Sequence, residues 1–192
     1  MENSSKKGNI FVISGPSGVG KGTLLKMLLA KHPEISLSIS ATTRTPRQGE
    51  THGINYFFIS KEKFQESVEK NEFLEWAKFA DNCYGTYKNT VEKALSEGKN
   101  IALEIEVQGA MQIKEKMPEA ILIFISPPSI EELKSRLTGR NTETEEVIQK
   151  RLSIVESEFE KRKYFDYEII NDDLDRALEE LTNIVLVQGA KK

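Results

Sequence analysis

Residues 15–23 have the residue types and spacing of a phosphate-binding loop. They read Gly-Pro-Ser-Gly-Val-Gly-Lys-Gly-Thr. Glycines let the backbone turn so that consecutive N–H groups point at one anion, and the start of a helix adds partial positive charge. Lys21 adds a full charge that can reach the β- and γ-phosphates of a nucleotide. An apolar run precedes the segment and a leucine-rich run follows it, as this loop requires. The candidate phosphate-binding residues are Gly15, Pro16, Ser17, Gly18, Val19, Gly20, Lys21, Gly22 and Thr23.

The position after the lysine departs from the usual form of this loop. The motif places Ser or Thr there to contact Mg²⁺, whereas this chain has Gly22 followed by Thr23. Because glycine carries no hydroxyl, no side chain at position 22 can bind the ion. Either Thr23 contributes or water completes the shell, since Mg²⁺ usually keeps several waters. No residue is therefore assigned with certainty as a direct metal ligand.

Two further groups of residues could bind anions or bases, but the residues alone leave alternatives open. Arg44 and Arg47 lie three apart in a loop rich in Thr, Pro and Gly. Their planar guanidinium groups could grip one phosphate, or the segment could be a solvated basic turn. Glu75 lies in a hydrophobic run, where a buried carboxylate needs a partner, unless the side chain faces outward. Trp76, next in the chain, is expected in the core.

The elements that would position these residues alternate along the chain. Apolar runs predict strands at residues 10–14, 35–39, 56–59, 73–79, 101–106, 121–125 and 167–170. The first, fifth and sixth are nearly continuous apolar runs, which favours parallel strands buried on both faces. Helical spacing of apolar residues follows the phosphate loop and recurs near residues 64–68, 91–95 and 174–181. Gly98 is the expected stop of the third helix.

Two capping boxes predict further helix starts. Ser129 and Glu132 form the first, directly after two prolines. Thr142 and Glu145 form the second, which opens a long charged helix to about Lys163.

This order of elements predicts an α/β fold with three layers, a phosphate loop and a mainly parallel sheet. Two stretches depart from the alternation. Residues 35–90 are rich in strands and aromatics and predict an inserted β-rich subdomain. Residues 126–165 are strongly charged with little apolar surface, which is typical of a helical, mobile lid. The core is then assigned to residues 8–34, 91–125 and 166–187.

Composition restricts the function classes. The chain of 192 residues has a net charge of −3, which disfavours a nucleic-acid binder. A single cysteine, Cys83, excludes an internal disulfide and suits a reducing compartment. The histidines, His32 and His52, are isolated and suggest no metal site. With no apolar run near the ~20 residues that span a bilayer and no signal-like start, we expect a cytoplasmic protein without membrane contact.

Several ordered motifs extend from about residue 8 to residue 187. They include Ser-Ala-Thr-Thr-Arg-Thr-Pro-Arg from residue 40, Gly-Ile-Asn-Tyr from residue 53 and Asn-Glu-Phe-Leu-Glu-Trp-Ala from residue 71. Tyr-Gly-Thr from residue 84, Glu-Ile-Glu-Val-Gln-Gly from residue 104 and Pro-Pro-Ser from residue 127 follow. The last are Arg-Leu-Thr-Gly-Arg-Asn-Thr-Glu-Thr-Glu from residue 136 and Asn-Asp-Asp-Leu from residue 171. Together with the Gly-Lys-Gly-Thr loop they closely resemble the guanylate kinase family.

The resemblance implies a GMP-binding subdomain at about 35–90 and a lid at about 126–165. By position it implies that four residues hold the GMP phosphate: Arg44, Arg47, Tyr56 and Tyr84. A second set would surround the guanine: Ser40, Glu75, Thr86 and Glu106. Catalytic residues would be Lys21 with Arg136, Arg140 and Arg151 around the transferred phosphoryl group. Many family members carry Asp-x-Asp where this chain has Glu104 and Glu106.

The implied activity is transfer of a phosphoryl group from ATP to GMP, with Mg²⁺ as cofactor and GDP and ADP as products. It would serve purine nucleotide metabolism and GMP recycling. dGMP as an alternative acceptor is left open, as is the choice between a monomer and a homodimer. Two other functions are weighed against it: a kinase for another nucleoside monophosphate, and a non-catalytic guanylate-kinase-like binding module. The retained Lys21 argues against the second.

Overall fold

The computed structural model describes residues 7–79, 81–133 and 145–190, with side chains from residue 153 onward in the last range. The strands are β1 (Ile10–Ser14), β2 (Ser36–Leu37), β3 (Ala41–Thr42), β4 (Phe57–Phe58), β5 (Phe73–Phe79), β6 (Asn82–Tyr87), β7 (Ile101–Glu104), β8 (Ile121–Ser126) and β9 (Tyr167–Ile170). The helices are α1 (Lys21–Lys31), α2 (Lys61–Glu69), α3 (Lys88–Ser96), α4 (Val107–Lys116), α5 (Glu145–Lys161) and α6 (Leu174–Gly189). A further helix begins at residue 130, and a 3₁₀ turn spans Arg162–Tyr164.

The first sheet is parallel throughout, in the order β2-β7-β1-β8-β9. Strand β1 lies at the centre of this sheet. Its five residues are all buried, as expected for a strand covered on both faces. In parallel α/β sheets, ligands bind beyond the carboxyl ends of the strands. The loop after β1 and the residues after β7 therefore meet at one edge, where the site is found.

Helices cover both faces of this sheet, and alternate residues of β1 show how. Phe11 and Ile13 pack in a cluster with residues of α1 and α6, whereas Ile10 and Val12 pack with residues of α3 and α4. The three-layer α/β prediction is confirmed by this arrangement. The predicted bounds of β1, β5 and β9 are also confirmed.

The second sheet is mixed, in the order β4-β3-β6-β5, and it is built from the segment that the sequence marked as β-rich. Strands β5 and β6 form an antiparallel hairpin, and β3 pairs with β6 antiparallel and with β4 parallel. Helix α2 packs Phe64 against Phe73 of this sheet, with ring centroids 4.6 Å apart. Glu75 lies on β5, the strand at the open edge of the sheet.

The structure corrects several sequence-based expectations. Helix α4 and strands β3 and β6 were not predicted, and the strands predicted at 35–39, 56–59 and 101–106 are shorter. Trp76 is not a core residue, because 41% of its surface is exposed. The second half of α5 does bury apolar surface, since Val155 is 3% exposed and packs in the α1/α6 cluster. The helix ends at Lys161 and the 3₁₀ turn covers the predicted last residues.

The predicted helix signals near the ends of elements are confirmed where the structure describes them. The Glu132 N–H donates to Ser129 Oγ at 3.0 Å, as the first capping box requires. Gly98 donates its N–H to the Leu95 carbonyl at 3.1 Å just after α3 ends. The second box begins at Thr142, which lies outside the described residues.

Candidate active site

A cleft of about 1090 Å³ is lined by residues of both sheets and of the loop after β1. It brings together most of the residues that the sequence singled out: Ser17, Gly18, Gly20, Lys21, Gly22, Thr23, Ser40, Arg44, Arg47, Tyr56, Glu75, Tyr84 and Glu106. Gly15, Pro16 and Val19 are buried behind the loop. Thr86 is fully buried behind Glu75. A phosphate site and a candidate base site thus share one cavity.

The phosphate loop leads directly into α1. Gly18 and Gly20 adopt left-handed backbone angles, φ +87° and +92°, which only glycine adopts without strain. Helix α1 has Gly20 at its N-cap with no side-chain cap, and its first turn has no acidic residue. The first N–H groups of the helix are therefore free of helical and capping partners and carry the positive end of its dipole. A helix start of this kind can bind an anion.

The Lys21 side chain is hydrogen-bonded to the backbone of the phosphate loop. Its Nζ donates to the carbonyl oxygens of Gly15 at 2.6 Å and Pro16 at 3.1 Å, and the residue is 8% exposed. These bonds fix a long side chain over the loop before any phosphate arrives. The charge is then already placed, so less conformational freedom is lost when an anion binds.

Asn171 supports the loop from behind. Its Nδ2 donates to the Val19 carbonyl at 2.7 Å, and its backbone N–H donates to the Ser126 carbonyl at 2.8 Å. A Cβ atom on Gly20 would lie 2.6 Å from Nδ2, so glycine is required there by space as well as by φ. The asparagine joins the ends of β8 and β9 to the phosphate loop.

Arg44 lines the cleft and is oriented by residues of its own loop. Its guanidinium donates to Glu50 Oε1 at 2.8 Å and to the Thr45 carbonyl at 2.8 Å. It also lies 5.6 Å from the ring centre of Tyr56, within the range of a cation–π contact. Hydrogen bonding to Glu50 raises the pKa of Arg44 further above its ordinary value. The arginine is therefore a fixed cation with one face toward the cleft.

The cleft is also lined, next to Arg44, by Arg47, Tyr56 and Tyr84. The backbone N–H of Arg47 donates to Glu50 Oε2 at 2.7 Å, so one carboxylate organises both arginines. The rings of Tyr56 and Tyr84 lie 6.1 Å apart in an edge-to-face arrangement. Burial raises the pKa of Tyr56, which keeps its hydroxyl protonated and able to donate. All four residues that the resemblance assigned to the acceptor phosphate line one region.

Glu75 is a buried carboxylate with one strong partner. The residue is 3% exposed, and its Oε1 accepts a hydrogen bond from Thr86 Oγ1 at 2.6 Å across the β5–β6 pair. Burial raises its pKa to about 7, although the Thr86 hydrogen bond opposes this shift. The expectation of an outward-facing position is thereby excluded. Buried carboxylates with a raised pKa that line a cleft are typical of functional sites.

Glu104 lies beside the unusual Gly22. A Cβ atom on Gly22 would lie 3.3 Å from Glu104 Oε1 and 3.4 Å from Oε2, which is a tight fit. Glycine at position 22 thus leaves room for a carboxylate at the start of α1. Burial raises the pKa of Glu104, while the charge of Lys21 opposes the shift.

Glu106 and Glu158 are two acidic residues that line one cavity next to the cleft. Glu106 Oε2 is buried and has no hydrogen-bond partner among the described residues. Glu158 of α5 is 9% exposed; burial raises its pKa to about 7, with the charge of Glu106 raising it further. The two side chains line a small cavity of about 300 Å³ that continues from the main cleft. The base of α5 therefore packs against the same edge of the sheet.

The structure does not describe the side chains of three predicted site residues. Arg136 and Arg140 lie outside the described residues. Arg151 falls within α5, in the part where only the backbone is described.

Among the side chains of residues 7–79, 81–133 and 153–190, no group of three or more His, Cys, Asp or Glu could hold a metal ion. In the same ranges no helix is long and apolar enough to cross a membrane.

Sequence reasoning assigned no role to Glu50, Asn171 or Glu158. Glu50 could have been found from its place three residues after Arg47 in the same loop. Asn171 follows the last strand of the parallel sheet, where polar residues at strand ends meet the ligand. Glu158 lies in a run of charged residues, and nothing in its spacing separates it from the solvated ones.

Comparison with known proteins decides the family. The family model described as guanylate kinase matches residues 7–188. The chain belongs to the guanylate kinase family. A guanylate kinase of Clostridioides difficile (strain 630) is 54% identical over 180 residues, which cover 94% of this chain and 88% of that protein. One from Syntrophomonas wolfei is 49% identical over 187 residues, covering 97% and 96%.

The fold of this kinase agrees with that of a solved relative. The crystal structure of guanylate kinase from Anaplasma phagocytophilum superposes with a TM-score of 0.81 at 32% identity, covering 98% of this chain and 89% of the other. The α/β fold with a parallel five-stranded sheet and a separate mixed β subdomain is therefore that of the family. The protein is a nucleotide kinase, an enzyme of the transferase class.

Proposed function

We propose that the protein transfers the γ-phosphoryl group of ATP to GMP, giving ADP and GDP, in purine nucleotide metabolism and GMP recycling. One observation carries the proposal: a single cleft is lined both by the phosphate loop with Lys21 and by the buried Glu75. The first is suited to a nucleoside triphosphate and the second to a base with adjacent donors. The relatives of about half identity over nearly the whole chain support the same activity.

Glu75 and Thr86 account for the choice of base. Guanine presents N1–H and the N2 amino group as neighbouring donors, and a carboxylate offers two acceptors. Thr86 holds one carboxylate oxygen at 2.6 Å, which fixes the plane of the acceptor before the base arrives. Adenine presents a bare N1 acceptor there, so a carboxylate would face a lone pair with no proton between them. Ser40 and Glu106 complete the guanine site in this proposal.

Arg44 and Arg47 would hold the acceptor phosphate, with Tyr56 and Tyr84 donating hydroxyl hydrogen bonds. A phosphate monoester has a second pKa of about 6 and is largely dianionic at neutral pH, so the acceptor needs no general base. The obstacle is the repulsion between two polyanions. Catalysis then consists of positioning and charge neutralisation. Glu50 keeps Arg44 oriented for this role.

Lys21 would neutralise charge on the donor phosphates, and the free N–H groups at the start of α1 would bind their oxygens. Arg136, Arg140 and Arg151 would surround the transferred phosphoryl group from the lid at about 126–165. Closure of that lid would exclude water, so that ATP is not simply hydrolysed. The described base of the lid, at Val155 and Glu158, already packs on the core.

Mg²⁺ is the expected cofactor, and the residues present fit a loosely held ion. Carboxylate oxygens and water are the ligands that Mg²⁺ prefers, and Glu104 lies against Gly22 where the usual loop has a hydroxyl. Glu104, directly or through water, and Thr23 would contact an ion bound mainly by nucleotide phosphates. Bound there, the ion would supply further neutralisation of phosphate charge. Location in the cytoplasm, use of dGMP and a monomeric or homodimeric state stay predictions.

A panel of acceptors tests the proposal. ADP formation in a coupled assay would be measured with GMP, dGMP, IMP, AMP, UMP and TMP, each at the same concentration. IMP keeps N1–H and lacks the 2-amino group, so it isolates the second donor. We expect GMP to exceed AMP by about 10⁴ in kcat/KM, because a site built around a required hydrogen bond rejects an analogue without it. Equal use of AMP and GMP would contradict the base assignment, and no turnover with any acceptor would favour a binding module.

A further inference from the structure

Helix α4 is attached to strand β5 on both sides of Glu75. The Gln112 amide donates to the Trp76 carbonyl at 2.7 Å and accepts from the Trp76 N–H at 3.2 Å. Lys116 Nζ donates to the Leu74 carbonyl at 2.5 Å. Because β5 is an edge strand, these backbone groups have no neighbouring strand, and side chains of α4 take its place. The backbone at positions 74 and 76 is thus fixed by a helix of the core.

Gly109, in the first turn of the same helix, contacts the Glu75 carboxylate. A Cβ atom on Gly109 would lie 3.0 Å from the Glu75 carboxyl carbon and closer still to its Oε2. Real Cβ atoms essentially never approach a heavy atom that closely, so the carboxylate would have to move. It has little room to do so, because the residue is 3% exposed and its other oxygen is held by Thr86. Glycine at this position is set by the carboxylate and not by backbone conformation.

We propose that α4 positions Glu75 for base recognition, with Gly109 as the specificity-determining position on that helix. The inference rests on the proposed role of Glu75 in reading guanine. The Glu75 carboxylate is hydrogen-bonded by Thr86 at Oε1 and contacted by Gly109 at Oε2. The strand that carries it is held by Gln112 and Lys116. Gly109 and Gln112 are positioning residues, since they act through Glu75. Helix α4 begins after its N-cap residue Glu106, two residues beyond the end of β7, so the core sheet aligns the base site with the phosphate loop.

Gly109→Ala tests the proposal with a readout that a structural role would not move. Alanine is favoured over glycine within a helix, but displacing the buried carboxylate strains the packing around it, so the melting temperature should fall by a few degrees while the protein stays folded. The displaced carboxylate should weaken its hydrogen bonds to guanine, and kcat/KM for GMP should drop about 10- to 100-fold, the size of one charge-assisted hydrogen bond. The loss should appear mainly in KM for GMP, with KM for ATP and the low AMP activity unchanged. Glu115→Ala, an exposed change on the same helix, should match wild type.

A double-mutant cycle with Glu75→Asp identifies the contact. Aspartate is one methylene shorter and withdraws from position 109, so adding Gly109→Ala to Glu75→Asp should cause little further loss. Gln112→Ala, which creates no clash, should also raise KM for GMP and leave KM for ATP unchanged. It keeps the test valid should Gly109→Ala not fold.

The outcomes separate this inference from the role of Glu75 itself. If Glu75→Gln loses GMP use while Gly109→Ala and Gln112→Ala keep wild-type kinetics, the positioning role of α4 is wrong and base reading stands. If Glu75→Gln itself behaves as wild type, base reading fails first. Additive losses in the Glu75→Asp and Gly109→Ala cycle would also overturn the proposed contact.

Discussion

Glutamine at position 75 keeps the size and shape of the side chain and changes its charge and one hydrogen-bonding atom. In the structure, Glu75 Oε1 accepts from Thr86 Oγ1 at 2.6 Å, and an amide oxygen can accept the same bond. The amide nitrogen then takes the place of Oε2 and presents donors to the donors of guanine. Glu75→Gln should therefore leave the fold intact and damage base recognition.

The size of the kinetic effect follows from the bonds that are lost. A hydrogen bond to a charged group contributes about 1.5–3 kcal/mol. The amide oxygen can still accept one bond from guanine, so loss of the bond accepted by Oε2 removes roughly 1.5–3 kcal/mol, or about 10–10² in kcat/KM, and the facing pair of donors adds to this loss. Because Arg44 and Arg47 are untouched, the loss should fall on GMP and spare ATP. IMP, with one donor fewer, should lose less than GMP.

The same substitution, although it damages base recognition, should make the protein more stable relative to wild type as the pH rises. The pKa of Glu75 is raised from 4.5 to about 7 in the folded protein, so the folded state binds more protons than the unfolded state between these values. The free energy of unfolding therefore falls as pH rises through this window, by roughly 3 kcal/mol in full. Glutamine does not titrate and removes this loss. Relative to wild type, the variant should gain roughly 2–3 kcal/mol between pH 5 and pH 8, whatever constant cost the amide adds.

Two measurements check this prediction together. Urea unfolding of wild type and Glu75→Gln at pH 5, 6, 7 and 8 gives the change in relative stability, and the coupled assay gives kcat/KM for GMP, IMP and AMP. A Glu69→Gln variant, at an exposed position in α2, serves as the control for carboxylate loss. A relative stability that does not change with pH would refute the buried, titrating carboxylate. Retained selectivity for GMP would refute its role in reading the base.

Four further predictions concern the other parts of the site. Lys21→Ala should lower kcat by about 10²–10³ with the circular dichroism spectrum unchanged, since one electrostatic donor is removed; normal turnover would show that the loop is misassigned. Arg140→Ala should lower kcat with GMP binding by calorimetry nearly unchanged, and the reverse pattern would place it at the acceptor. Hydrogen exchange at residues 40–90 and 145–165 should slow with ADP plus GMP, and much less in β1; equal protection with and without ligands would count against closure. Lowering pH from 8 to 6 should reduce kcat/KM for GMP about tenfold more in wild type than in Glu75→Gln, because Glu75, with a pKa of about 7, becomes protonated; parallel profiles would contradict this.

The parts of the fold that sequence predicted well have strong local signals. Strand β1 is a continuous apolar run followed by glycines, and both the strand and the loop are where the pattern placed them. Strand β5 was also predicted with the correct bounds. In each case the residues of one segment are enough to predict the element. A strand buried on both faces requires a continuous apolar run, and a turn with positive φ requires glycine.

Elements whose existence depends on distant partners were missed. In strand β6 the depleted residues Asn82 and Gly85 interrupt the strand formers, so its local signal is mixed, and it forms because it pairs with β5 and β3. Helix α4 follows Glu106 with glycine and glutamine in its first turn, and no capping side chain marks its start. Trp76 was assigned to the core for its hydrophobicity, although the alternation of β5 places it on the opposite side from Glu75, where 41% of it is exposed. None of these outcomes can be read from a window of a few residues.

Two cations of the site, Lys21 and Arg44, are bonded to groups of the protein itself, and this bears on how the cleft works. Lys21 donates to carbonyl oxygens of its own loop, and Arg44 donates to Glu50. A phosphate dianion offers more charge and more acceptor oxygens than a carbonyl or a single carboxylate, so it can share or replace these partners without reorienting the cation. Preorganisation of this kind lets binding energy act on the acceptor and donor phosphates at the moment when their charges must be brought together.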